Sequence, residues 1–308
     1  MTSDAYDVLI IGGGPAGLTA GLYAARARLA TLLLEKSALG GQVIKTERIE
    51  NYPGCDTGIS GFELMHRMEQ QAKYFGLSIT SAALESIMPL QDRTILVATS
   101  EGEFRARSLI IATGSEPRLL GAAGEERLIG RGVSYCATCD GAFFREKEVA
   151  VVGGGDAAIE EALFLSRLVK KVHVIHRRDQ LRAIQILQER ARAEDRISFI
   201  WNTVVDEILG DARVSSLRLR NLKDGSSFSL AVDAVFIYVG LRPNTGCLAG
   251  LIPLTEEGFI VTSELLETQL PGIFAAGDVR KKLLRQITTA VGDGATAAFA
   301  AEKYLQTL

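Results

Sequence analysis

The chain has 308 residues, of which 47% are hydrophobic and 23% charged, with a formal net charge of −3 at pH 7. That length predicts about two domains, and the composition is that of a globular protein, not of a disordered or fibrous one. The slight acidity argues against nucleic acid or an anionic membrane as a partner, and four cysteines are too few for a disulfide scaffold, so a reducing, cytoplasmic setting is expected.

The N-terminus, "MTSDAYDVLIIGGGPAG", carries acids where a secretory signal needs basic residues, and its apolar run stops at Gly12. No signal peptide and no membrane span are predicted. "YDVLIIGGGPAGLTAGLYAARARLATLLLEK" reads as a strand over 8–11, a glycine turn, a helix from about Pro15 to Arg28 and a second strand ending at Glu35. Gly12, Gly14 and Gly17 give G-x-G-x-x-G, which allows a tight turn, close approach of backbone to a pyrophosphate, and close helix–strand packing. Glu35, 23 residues past Gly12, can accept hydrogen bonds from ribose hydroxyls, which suits an adenosine without a 2′-phosphate. The segment closes in an apolar strand within "SLIIATGSEP" (108–117).

"YCATCDGAFF" follows, with Cys136, Cys139 and Asp140. A zinc site needs two more ligands. Cys55 and Cys247 are single and distant, and His66, His173 and His176 fall in a helix, a strand and a basic motif, so no metal is expected. A structural staple across so short a loop would constrain the unfolded chain little. A pair that cycles between dithiol and disulfide fits better. Asp140 reads either as an acid–base group toward a departing thiolate or as a cap or turn acid. Cys55 and Cys247 read as bystanders.

The opening plan then returns in "KEVAVVGGGDAAIEEALFLSRLVKKVHVIHRR": strand to Val152, helix from near Asp156, strand to Ile175. Gly153, Gly155, Asp156 and Ala158 make a second cradle, G-x-G-x-x-A. His176 holds the place of Glu35, and Arg177, Arg178 and, one turn into a predicted helix, Arg182 follow it. An acid would repel a 2′-phosphate; guanidinium groups bind it, each charge-assisted bond contributing roughly 1.5–3 kcal/mol. Two such contacts favour the phosphorylated nucleotide by on the order of 10²-fold or more, so NADP is expected here; a solvated basic helix start is the alternative. A similar apolar strand, "AVFIYVGLRPN" (234–244), closes this half. The tail supplies a strand, "GIFAAGD" (272–278), and a helix over 285–305.

This internal repeat of a whole domain predicts an α/β protein with two Rossmann-like dinucleotide-binding domains of three-layer ββα type, the second inserted in the first. The expected division is 1–117 plus 245–308 for the first and 118–244 for the second. The connections near 115–120 and 242–248 suit a hinge.

With both cradles and "CATCDG" in place, the chain closely resembles the low-molecular-weight, bacterial-type thioredoxin reductases, FAD- and NAD(P)-dependent pyridine nucleotide-disulfide oxidoreductases. The resemblance runs from about 6 to 305 and rests on "GGGPAGLTAGLYAAR", "GGQ…IENYPG", "ATG", "CATCDGAFF", "GGGDAAIEEALFL", "HRRDQLRA" and "GIFAAGDVR…RQITTAVGDG" in that order. It implies FAD in the first domain, with Gly12, Gly14, Pro15, Ala16 and Gly17 at its pyrophosphate and Glu35 at the ribose. Gly41, Gln42 and Asn51 would lie along it, Asp278 near the ribitol–phosphate region, and Arg285, Gln286 and Ile287 toward the flavin. It implies a relay from NADPH through FAD to a Cys136–Cys139 disulfide and on to thioredoxin. Cys139 would lie nearer the flavin, Cys136 would attack the substrate, and Asp140 would move the proton. The second domain would rotate between half-reactions, in a homodimer. Ala157 stands where many relatives have Ser or Thr, and Leu181 where many have Phe. Other readings keep the same flavin–disulfide chemistry with ferredoxin as donor or another thioredoxin-fold acceptor, or make the chain a flavoprotein sensor without enzymatic activity.

Overall fold

The computed structural model describes residues 5–46, 49, 51–55, 59–248 and 250–308. The chain divides into two compact units, Met1–Glu116 with Arg242–Leu308, and Pro117–Leu241.

The first unit begins with β1 (Tyr6–Ile11), α1 (Pro15–Arg26), β2 (Thr31–Glu35), α2 (Gly61–Tyr74), β3 (Ser78–Ser81), β4 (Leu84–Pro89), β5 (Ile95–Thr99) and β6 (Gly102–Ile111). α1 stops at Arg26, and Arg28 takes a left-handed φ of 62°. β7 (Ser115–Pro117) leads out. The second unit holds β8 (Val133–Ser134), α3 (Ala137–Asp140), β9 (Glu148–Val152), α4 (Asp156–Ser166), β10 (Lys171–Ile175), α5 (Gln185–Arg192), β11 (Ile197–Ile200), β12 (Thr203–Leu209), β13 (Ser216–Asn221), β14 (Ser227–Ala231) and β15 (Ala234–Ile237). β16 (Leu241–Pro243) leads back, and β17 (Ile273–Ala275) and α6 (Ile287–Leu305) complete the first unit. β7 and β16 pair with each other.

In the first unit the strand order is β3-β2-β1-β6-β5-β4, with β17 also on β6. The β1–β2, β1–β6, β2–β3 and β17–β6 pairs are parallel, while β4–β5 and β5–β6 form an antiparallel meander. Alternation along the strands explains the layering, since successive side chains face opposite ways. Val8, Ile10, Leu33, Ile110 and Phe274 pack under α1 and α6; Leu9, Ile11, Leu34, Leu109 and Ile111 face the meander residues Ile87, Ile95 and Val97.

The second unit repeats this plan. Its parallel sheet runs β11-β10-β9-β15-β8, and β12-β13-β14 form a separate antiparallel layer. Val149, Val151, Val172 and Phe236 pack toward the α4 and α5 residues Ile159, Ala162 and Leu187. Ala150, Val152, Val235 and Ile237 pack toward Val205, Ile208, Leu217 and Leu219. Sheets covered on both faces give the nearly unbroken apolar runs seen in β1 and β9.

Candidate active site

The first glycine turn joins β1 to α1. Gly12 has φ +106°, and a Cβ there would lie 2.4 Å from Ala112 O; one on Gly17 would lie 1.8 Å from Gly12 O. A Cβ on Gly14 would meet nothing within 4 Å, so the backbone N–H groups opening α1 behind Pro15 face free space. Glu35, at the end of β2, ties the turn: its carboxylate accepts from Gly13 N at 2.6 Å and from Ser37 N at 3.0 Å. Gly40 N donates to Gly13 O at 2.8 Å. That brings up the 3-10 turn Gly41–Lys45, which carries Gly41 and Gln42, and a Cβ on Gly41 would lie 3.6 Å from Gly14 Cα.

Asp278 sits in the turn Gly277–Val279, which abuts α1, since a Cβ on Gly277 would lie 2.9 Å from Ala16 Cβ. One Asp278 oxygen is buried with no hydrogen-bond partner. Burial raises its carboxyl above the ordinary value, against the opposing pull of Lys282 and Arg285. Arg285 lies over the Phe259 ring at 4.2 Å with a buried, unpartnered Nε, and burial lowers its guanidinium. Gln286 caps α6 reciprocally with Thr289, and its Oε1 accepts from Asn51 Nδ2 at 3.0 Å; Ile287 is the first helical residue. Behind them Asp293 accepts from Gly277 N at 2.9 Å, Arg280 Nε at 2.8 Å and Lys282 Nζ at 2.8 Å. The structure thus gathers the glycine turn, Glu35, Gly41, Gln42 and Asp278 around the start of α1, and Asn51 with Gln286 at the start of α6.

The second turn has the same wiring with other side chains. Gly155 is open where Gly14 is open, and a Cβ on Gly153 would crowd Ala158 Cβ at 2.6 Å. His176 takes the place of Glu35, its ring against Gly154, where a Cβ would lie 2.4 Å from Cε1. Its Nε2 is buried without a partner. Burial lowers its basicity, and the charges of Arg178, Arg182 and Arg177 push the same way, outweighing the bond to the Gln180 backbone. Trp201 stands edge-on to His176 at 6.5 Å and stacks on Phe199 at 4.9 Å.

One sequence expectation is corrected here. Arg182 is not in a helix, for α5 begins only at Gln185. Arg182 N and Ala183 N both donate to Gly154 O, at 2.6 and 3.1 Å, and Ile184 N donates to the Asp156 carboxylate at 2.8 Å. Those bonds fold 177–184 back onto the glycine turn instead of winding them. Asp156 therefore fastens this segment. Arg177, Arg178 and Arg182 are exposed, and among the described residues none enters an ion pair.

The cysteines follow β8. Cys136 is the N-cap of α3, Cys139 lies within it, and the two form a disulfide with Cα atoms 5.3 Å apart. Asp140 ends α3, and Ser134 Oγ donates to its carboxylate at 2.6 Å while accepting from Cys136 N at 3.1 Å. Tyr238 Oη accepts from Ala137 N at 2.6 Å. Tyr135 Oη donates to the buried Glu125 at 2.8 Å, and its phenol is raised by burial and by that carboxylate.

The description that fits residues 6–294 is "Pyridine nucleotide-disulphide oxidoreductase". The chain belongs to this family. Within the pyridine nucleotide-disulphide oxidoreductases it is similar to a thioredoxin reductase of Listeria innocua, 52% identical over 98% of this chain and 95% of that one. One of Bacillus subtilis is 46% identical over 98% and 96%. Among solved structures, the thioredoxin reductase of Streptococcus pyogenes superposes with a TM-score of 0.94 at 50% identity, covering 99% and 100% of the two chains. That of Lactococcus lactis, in an "FR conformation", gives 0.69 at 48% identity, covering 98% and 100%. Sequence reasoning missed Ser134, which bonds Asp140 and Cys136 N, and Tyr238, which holds Ala137 N. Ser134 had a usable signal, a hydroxyl two residues before the first cysteine.

Proposed function

We propose that the protein is an NADPH-dependent thioredoxin reductase. The observation that carries this reading is the Cys136–Cys139 disulfide beside Asp140, in a chain aligned over nearly its whole length with proteins of that name.

The residues suit FAD in the first unit. The open start of α1 at Gly14 presents unpaired N–H groups to a pyrophosphate. The buried, unpartnered oxygen of Asp278 is an acceptor in want of a donor, as a sugar hydroxyl would be. Arg177, Arg178 and Arg182, exposed beside the second turn, suit the 2′-phosphate of NADPH. FAD and NADPH, when bound, would supply the hydride-transfer chemistry that no side chain here provides.

The chain's own part is binding and sulfur chemistry. Cys136 and Cys139 accept an electron pair as their S–S bond breaks. Asp140, fixed by Ser134, holds the proton for the departing thiolate. Cys136 then attacks the disulfide of thioredoxin, and Cys139 displaces reduced thioredoxin and re-forms the pair. In this reading the first unit is the FAD-binding domain and the second the NADPH-binding domain, which rotates on its two connections between half-reactions. The protein works as a homodimer in the cytoplasm. Among the described residues no helix is long and apolar enough to cross a membrane.

The test is anaerobic absorption spectroscopy of the purified protein, followed by thioredoxin turnover. A yellow protein bleached by NADPH and reoxidised by thioredoxin is the expected result. A colourless chain that cannot take up FAD overturns the reading. Bleaching by a ferredoxin system but not by NADPH replaces the donor, and bleaching without disulfide turnover leaves a sensor.

A further inference from the structure

The redox segment is too short to hold itself. β8 is two residues at the sheet edge and α3 is four, and so brief a helix does not persist without outside contacts. Side chains supply them. Ser134 Oγ accepts from Cys136 N at 3.1 Å, and Tyr238 Oη accepts from Ala137 N at 2.6 Å. On the near side of the pair, Tyr135 adjoins Cys136, and its Oη donates to Glu125 Oε1 at 2.8 Å. Glu125 is itself only 2% exposed. Its Oε1 also accepts from Leu120 N at 2.9 Å, and its Oε2 accepts from Gly121 N at 2.8 Å. The turn that carries it is bolted to β12. Ala123 N donates to Asp206 O at 3.1 Å, Ile208 N donates to Ala123 O at 2.8 Å, and a Cβ on Gly124 would lie 2.2 Å from Ile208 O. Burial and the carboxylate hold the Tyr135 phenol above its ordinary value, so it remains a donor at neutral pH.

We propose that Glu125 is a positioning residue for the Cys136–Cys139 couple, its carboxylate fixing Tyr135, and through it the chain entering Cys136, against β12. The inference rests on the redox reading of the two cysteines. Two thiols close to a disulfide in proportion to how well the chain holds them together, which is an effective concentration. While the S–S bond lasts it keeps them together. Once it is broken, the contacts on either side must do so. The Cys136 carbonyl accepts from Asp140 N at 3.1 Å, which ties its C-terminal side into α3. On its N-terminal side the bond to Ser134 stays within the same short segment, and the Tyr135–Glu125 bond reaches across to another element. Loosening Tyr135 leaves the disulfide closed but lets the dithiol spread, so reduction becomes easier and reclosure harder. Neither Glu125 nor Tyr135 exchanges a proton or an electron with the sulfurs; both act through the backbone.

The experiment equilibrates the purified holoprotein with dithiothreitol buffers at neutral pH, traps thiols by alkylation, and reads the Cys136–Cys139 peptide by mass spectrometry. Dithiothreitol gives two electrons and two protons to the pair, leaves two thiols there, and departs as its cyclic disulfide. Tyr135→Phe keeps the ring and drops only the hydroxyl. It should be reduced about tenfold more readily than wild type, equivalent to about 30 mV for this two-electron couple. Glu125→Ala should shift the couple in the same direction, and adding Tyr135→Phe to it should change little more, as for two halves of one contact. A wild-type equilibrium in Tyr135→Phe, or a shift toward the disulfide, overturns the proposal, even where folding stability is lost. Shifts from the two changes that simply add overturn it as well. Should Glu125→Ala not fold, Tyr135→Phe decides alone. A pair that dithiothreitol cannot open sinks the redox reading and the proposal with it. Thioredoxin takes no part in these measurements, so lost turnover beside an intact Tyr135→Phe shift counts against the functional reading alone.

Discussion

In the proposed relay two sulfurs and three guanidinium groups divide the chemistry between them, and each can be removed separately. Cys136→Ser should keep NADPH-driven bleaching of the flavin and abolish thioredoxin reduction; stopped-flow absorbance and an insulin-coupled assay read the two halves. Unchanged turnover would refute the assignment of Cys136 as the attacking thiol. Changing Arg177 and Arg178 together to Gln removes two charge-assisted bonds of roughly 1.5–3 kcal/mol each. The KM for NADPH should then rise on the order of 10²-fold with that for NADH little changed, and equal effects on both would remove the 2′-phosphate argument. The cysteine pair was legible because its chemistry is carried by local spacing, two residues three apart; the arginine expectation rests on spacing of the same kind, 24 and 25 residues past Gly153. Tyr238 was not, because it matters only through the Ala137 N–H that another element brings to it, and alone it reads as one more residue of an apolar strand.

Elements fail differently from residues. The β1–α1 turn depends on two bare backbones meeting, so Gly17→Ala, which puts a methyl 1.8 Å from Gly12 O, must push α1 off β1. FAD content of the purified variant is the readout, and a fully flavinated Gly17→Ala would contradict the close approach. Close to that turn, α6 hangs on Asp293. Burial works to raise that carboxyl, but bonds from Arg280 and Lys282 outweigh it and hold it below the usual range. A depressed folded value contributes stability that is present above the unfolded value near 3.9 and is lost as pH falls through the folded one. Asp293→Asn leaves Lys282 buried beside a neutral amide and should cost about 3–5 kcal/mol, measured as a drop in the denaturant midpoint at pH 7. At pH 2–3 the gap between wild type and variant should narrow. The strand–turn–helix units were readable because glycine spacing and apolar period act over a dozen residues. The segment 177–184 was misread as helical because Gly154 O and the Asp156 carboxylate, 20 or more residues away, capture its N–H groups.

At the scale of the molecule, each unit has its own sheet, its own helices and its own core, and each carries one glycine turn. Ligand linkage should therefore act on one unit at a time. NADP+ at a hundred times its Kd adds about 2.7 kcal/mol to whatever binds it. The only tryptophan, Trp201, reports on the second unit, edge-on to His176. Tryptophan fluorescence during thermal unfolding should shift upward with NADP+ while flavin release stays where it was. A shift of both together would mean the units unfold as one. The repeat itself was visible in the sequence. What the antiparallel layer β12–β14 covers was not, because the Ala150, Val152, Val235 and Ile237 side chains it packs on belong to strands elsewhere in the chain.

The pairing of β7 with β16 has a genealogical meaning. Where a polypeptide departs from a body and rejoins it through neighbouring strands, everything in between is topologically a loop, however large. A few residues could bridge Glu116 to Arg242, and a gene shortened in that way would encode the first unit alone with its sheet, helices and glycine turn, the arrangement expected if the second unit entered as an inserted copy of the first.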